Sequence, residues 1–247
     1  MSPPTGKLPR DGRWSFFVRP ILALVRWERG PHVSHVTGLY LIAGICGLVD
    51  AACFLSLGQV FAEMMTGNIL LFCFYIGLGQ SVFEHGGYLL ALFAFALGAV
   101  GGGRILRGAH GHTRLGFVVE WVFMAAATIL VFMLPVGSSE LARAVVIALL
   151  AAAMGLQNAM LRRHGVPDLA TNVMTLTYTA LVADSMFSGG QNERWERRLS
   201  SIGTFMLGAT GGAALTRLMG PWAPLLLALT LFSVALTGLT RQDAPSG

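Results

Sequence analysis

Charge is what this chain of 247 residues has least of. Asp, Glu, Lys and Arg make up 12% of it, about half the share of an ordinary soluble domain. Lysine is nearly missing: Lys7 stands alone, and every other fixed cation is arginine. The three cysteines, Cys46, Cys53 and Cys73, lie in apolar stretches without a Cys-x-x-Cys pair. That excludes a redox or zinc motif, and such cysteines are expected to pack as small hydrophobes. No Gly-x-Ser-x-Gly, His-Glu-x-x-His or Walker loop occurs, and these are the motifs that hydrolases, metalloproteases and nucleotide-driven pumps need. The histidines fall in the N-terminal arm or in loops, so no nucleophile–base pair is expected within an apolar block. The expectation is therefore no enzyme, no cofactor and no metal. The His110-x-His112 pair reads as part of a solvated basic loop.

What is present is hydrophobicity in long blocks. Apolar residues are 54% of the chain, and the mean hydropathy is +0.65. Most blocks approach the roughly 20 residues that a helix needs to cross a bilayer. The fold class expected is all-α, a polytopic helical membrane protein with the lipid bilayer as its main partner. The net charge of +5 gives no nucleic-acid footprint, because the arginines cluster between apolar blocks as topology signals do.

In order, residues 1–34 form a basic arm, expected in the cytosol. A transmembrane domain follows over 35–240, then a tail, 241–247. The apolar blocks run at about 38–57, 66–78, 88–103, 115–134, 141–161, 171–187, 202–216 and 223–239. They read as two related halves, about 38–134 and 141–239. Gly47-Leu48-x-Asp50-Ala51 matches Gly155-Leu156-x-Asn158-Ala159. Met65-Thr66-Gly67-Asn68 matches Met174-Thr175-Leu176-Thr177, and Glu84 falls opposite Glu193. The Phe95, Gly98, Gly101, Gly102 series matches Phe205, Gly208, Gly211, Gly212. The offset stays at 108 to 110 throughout. Those glycines read as close-packing positions between helices.

Eight crossings would put Arg104, Arg107, Arg114, Arg162 and Arg163 outside while the arm lies inside, against the positive-inside rule. Six crossings, with the second and sixth blocks short or broken, leave only Arg143 and Arg217 outside. Three crossings per half makes the halves opposite in orientation, an arrangement common among transporters. Six transmembrane helices plus two broken segments is the reading adopted, with eight spans as the alternative. Both termini are then cytosolic and the location is the cell inner membrane.

The stretches GLVDAACFL-x-LGQVFAEMMTGN, AMGLQNAMLRR and TNVMTLTYT resemble the YoaK-like family of bacterial multi-pass membrane proteins over about residues 38–239. The resemblance implies six transmembrane segments and assigns no chemistry. The chain departs from the family pattern at Leu176, where the family usually has glycine.

Ionisable groups inside hydrocarbon are costly and mark function by default. Asp50 is the leading candidate, as a proton- or cation-binding group or as a structural acceptor for Thr66 or Asn68. Thr66, Gly67 and Asn68, with Asn158, Thr175 and Thr177, complete the expected polar site where the halves meet. Thr171, Asn172 and Thr179 add hydroxyl and amide groups to the second copy. Glu120 and Asp184 are secondary candidates placed near interfaces, and Glu63 reads as a solvated loop acid. The function expected is a secondary transporter or permease for a small solute or ion. The alternative is a non-transporting scaffold or assembly factor, and a homo-oligomer is compatible with either.

Overall fold

The computed structural model describes residues 35–107, 113–164, 174–192 and 194–239. The arm, His110, His112, Thr171, Asn172, Glu193 and the tail lie outside these residues. Among the described residues the chain is helical throughout. Its elements are α1 (His35–Ser56), α2 (Met65–Gly77), α3 (Gly86–Arg107), α4 (Thr113–Met133), α5 (Glu140–His164), α6 (Met174–Ala183), α7 (Trp195–Met219) and α8 (Trp222–Leu239), with one 3-10 turn at Met186–Ser188. By length and composition α1, α3, α4 and α5 are long and apolar enough to cross a bilayer. α7 is 25 residues and carries no charge over 199–216. α8 is 18 residues and wholly uncharged. Leucines and phenylalanines such as Leu89, Phe93 and Leu97 line the outside of α3, as a helix facing lipid tails requires. The protein is a multi-pass membrane protein.

Glycine sets the closest helix contacts. α1 packs on α7, and α3 packs on α5. A Cβ at Gly208 would collide with the Gly44 carbonyl, and one at Gly212 would lie 2.9 Å from Ala51 Cβ. In the other pair, a Cβ at Gly98 would collide with the Ala152 carbonyl, and one at Gly102 would lie 2.8 Å from Ala159 Cβ. Gly47 abuts the Phe205 carbonyl as Gly155 abuts that of Phe95. Position numbers rise together within each pair, so α1 is parallel to α7 and α3 to α5. The second set of contacts reproduces the first, residue for residue, 108 to 110 positions along the chain.

α4 and α8 run against each other. The Phe117 ring lies 6.2 Å from Phe232, and Phe132 lies 5.9 Å from Trp222. Trp121 Nε1 donates to Ser233 Oγ at 2.9 Å. With short links between successive long helices, one direction is shared by α1, α4 and α7 and the reverse by α3, α5 and α8. The first half thus reads forward-back-forward and the second back-forward-back. Arg104, Arg107, Arg114, Arg162, Arg194 and Arg197 gather at one end of the bundle, and Arg143 and Arg217 sit at the other.

The two short helices do not extend this alternation. At 13 residues α2 is about 20 Å long, and it leads back to where α1 ended. Gly58 and Gln59 take left-handed backbone (φ 95 and 58), which turns the chain sharply after α1. The linker dips inward, and Tyr75, in the last turn of α2, reaches the Gln59 amide with its hydroxyl, Oη to Oε1 3.5 Å. Tyr75 also stacks on His85 and Tyr88 at the start of α3. α6 ends likewise beside the start of α7: Arg198 donates to the Ala180 carbonyl and to Asp184 Oδ2, both at 2.7 Å. α2 packs on α3 and α6 on α7, so the short helices sit against different partners rather than meeting.

Candidate functional site

The inward dip after α1 is held by two side chains. Asp50 lies six residues before the end of α1, about 9 Å down its axis. Its Oδ1 accepts from the backbone N–H of Ala62 at 2.8 Å and of Glu63 at 2.9 Å. Asn68, in the first turns of α2, pairs with Phe61 from both sides. Its Oδ1 accepts from Phe61 N–H at 2.9 Å, and its Nδ2 donates to the Phe61 carbonyl at 2.8 Å. Irregular backbone within a membrane protein needs such partners, since no water supplies them. Gly67 is small for a related reason: a Cβ there would come 3.0 Å from the Phe61 ring, which also stacks on Phe54 at 4.8 Å. Asp50 and Asn68 thus join through residues 61–63, not through each other or through Thr66.

Glu63 is a correction to the sequence reading. It is 8% exposed, not solvated, because binding of its N–H to Asp50 turns it into the bundle. Glu120 is a second. It lies seven residues into α4 and has no exposed surface, because α5 covers it rather than the interface. Gln157 Nε2 donates to Glu120 Oε1 at 2.6 Å. The Gln157 carbonyl oxygen in turn accepts from the Cys46 thiol at 3.4 Å. Cys46, one turn before Asp50, thus bonds across to α5 and lies within electrostatic range of Glu63, so it is a polar link and not a filler. Glu63 lies within electrostatic range of both Asp50 and Glu120. The result is a buried line from Asp50 through Glu63, Cys46 and Gln157 to Glu120. Asp50 Oδ2, Glu63 Oε1 and Glu120 Oε2 are all buried without a hydrogen-bond partner.

The other expected site residues separate from this line. Thr66 and Thr175 are exposed; Asn68 and Thr177, two positions on, are buried. Two residues along a helix is a rotation of about 200°, so each pair cannot share one face. Asn158 is buried, yet its Nδ2 donates to the Met154 carbonyl of its own helix at 2.8 Å. Asp184 is half-exposed and forms the ion pair with Arg198, a latch at the end of α6. Among the described residues no His, Cys, Asp and Glu group has the arrangement of a metal site.

Gln157 is not among the site residues the sequence suggests, and Cys46, expected to pack as a small hydrophobe, instead joins the polar line. Their signal was adjacency: Gln157 precedes Asn158 in an otherwise apolar block, and Cys46 stands one helical turn from Asp50.

Comparison with known proteins agrees with the membrane architecture. The chain is 29% identical to UPF0700 transmembrane protein YoaK of Bacillus subtilis (strain 168) over 151 residues, covering 60% of this chain and 66% of that protein. No solved structure matches it. Residues 38–237, which hold every helix packed around the acid line, match the family described as Protein of unknown function (DUF1275), and the chain belongs to that family.

Proposed function

We propose that this protein is an ion-coupled secondary transporter or permease for a small solute, built as two inverted repeats in the cell inner membrane. The observation that carries the reading is the buried acid line, with three carboxylate oxygens left unpartnered. A carboxylate buried among apolar helices is expensive to keep unless its binding of an ion is useful. Supporting it, the two halves make matching contacts in opposite directions, and irregular segments at matching places mark binding sites in transporters of inverted architecture. The six long helices are the crossings. The arginine-rich end of the bundle faces the cytosol by the positive-inside rule, which puts both termini there. α2 then enters from the outer face and α6 from the inner one.

Asp50, Glu63 and Glu120 form the core of the site, with Asn68 holding the linker that carries Glu63. Asp50→Asn keeps an oxygen to accept from Ala62 and Glu63, so the variant folds while losing the negative charge. In proteoliposomes carrying an internal pH dye, the wild-type chain is expected to move protons when one member of a panel of amino acids, organic acids and sugars is added outside. Asp50→Asn is expected to stop that movement. No proton movement with any member would favour a scaffold instead, a reading to which the backbone-clamping role of Asp50 and Asn68 lends weight.

A further inference from the structure

We propose that Glu63 is the proton-binding residue of this chain, held between the carboxyls of Asp50 and Glu120. The inference rests on reading the acid line as the coupling site, and it names the ion and the residue. Three negative charges in one buried group cannot all be kept without compensation. Among the described residues no ion pair joins any of the three to a cation. The compensation left is protonation, and the partners show where it falls.

Asp50 has two backbone donors on Oδ1, and donors aimed at a carboxylate stabilise its charge. Glu120 has a short amide donor from Gln157 on Oε1, which fixes its geometry although its Oε2 has none. Glu63 has no such donor: its Oε1 is buried without a hydrogen-bond partner, beside the negative charge of Asp50. The groups facing Glu63 are Asp50 and Cys46 of α1 and Glu120 of α4; none supplies positive charge. Glu63 is also the member carried on non-helical backbone, between Val60 and Met64. A change in that linker moves its carboxyl without bending a crossing helix.

Position along the bundle fits a proton that changes sides. Asp50 lies about 9 Å below one end of α1, and Glu120 about 10 Å above the start of α4 at the opposite end. Glu63 is next to the first and within range of the second. On loading, a proton from water adds to a Glu63 carboxylate oxygen and gives the neutral acid. On release the same O–H bond breaks, the proton passes to a water molecule and the carboxylate returns.

The test is infrared difference spectroscopy of the full chain in lipid, stepped between about pH 5 and about pH 9, a range that lies above the titration of ordinary solvated carboxyls. It needs no solute. The expected spectrum has one titrating high-frequency carboxylic C=O band that shifts on ¹³C-glutamate labelling. That band should disappear in Glu63→Gln and persist in Glu120→Gln. A band insensitive to glutamate label, a band that survives Glu63→Gln or vanishes in Glu120→Gln, or no titrating band would overturn the assignment. If Glu63→Gln does not fold, the label together with Glu120→Gln still separates Glu63 from Asp50 and Glu120. A Glu63 band in a protein that moves no solute would leave the proton site standing and remove the transporter reading alone.

Discussion

The two halves of the bundle pack alike and are chemically different. Gly98 against Ala152 is repeated by Gly208 against Gly44, and Gly155 against Phe95 by Gly47 against Phe205. Asp50, which anchors a linker and ends an acid line, is repeated by Asn158, which bonds only its own helix. Tyr75 stacked on Tyr88 in the first half becomes Asp184 paired with Arg198 in the second. Backbone contact between crossing helices tolerates little change, because a single Cβ collides. Polar side chains are held to no such limit, so one half can carry the chemistry while the other carries the matching shape.

The likeness breaks most severely at the glycines. Gly98→Ala and Gly208→Ala each push a methyl into a backbone carbonyl, and each is expected to cost about 3 kcal/mol, the upper range for overpacking. Gly101→Ala and Gly211→Ala meet nothing within 4 Å and should be neutral or stabilising by up to about 1 kcal/mol. Thermal unfolding in detergent, read by loss of monodisperse protein, compares the four. Unequal losses at Gly98 and Gly208 would show that the halves do not share the load.

A smaller effect probes the chemical difference. Asp50→Ala orphans two buried N–H groups and should destabilise by about 2 to 3 kcal/mol, whereas Asn158→Ala removes one bond and should cost about 1 kcal/mol. Denaturant titration followed by tryptophan fluorescence gives both values. Equal losses would mean that Asp50 is no more a linker anchor than its counterpart.

The smallest effect is at the latch. Asp184→Ala breaks an ion pair whose carboxylate is 52% exposed and leaves the buried Arg198 its bond to the Ala180 carbonyl, so the loss should be about 1 kcal/mol, the upper end for exposed pairs. A loss above that, in the same titration, would make the end of α6 a structural joint comparable to the linker at Asp50.

Much of the fold was legible because bilayer physics is blunt. Long uncharged blocks, arginines at their ends and paired glycines are visible in a string of letters. The block at 171–187 shortened to α6 at its described end, and the block at 202–216 lengthened to α7, since polar first turns such as Trp195–Arg198 do not look apolar. Asp50 and Asn68 stood out as polar residues in apolar surroundings. Thr66 and Thr175 stood out on the same grounds and face outward, because composition does not report helical phase. Glu63 looked solvated because it sits in a linker, and a linker that folds back inside cannot be told from one that stays at the surface.

Residence in a membrane, helical class and the doubling of the glycine pattern follow from residue order alone, because hydrophobic length and small-residue spacing act locally along the chain. Which acids share a buried line had to wait for the packing. Asp50, Glu63, Gln157 and Glu120 come from α1, a linker, α5 and α4, and their distances exist only once those pieces cross. The opposed course of α4 and α8 is of the same kind: the aromatic contacts between them depend on how six long helices close around one another.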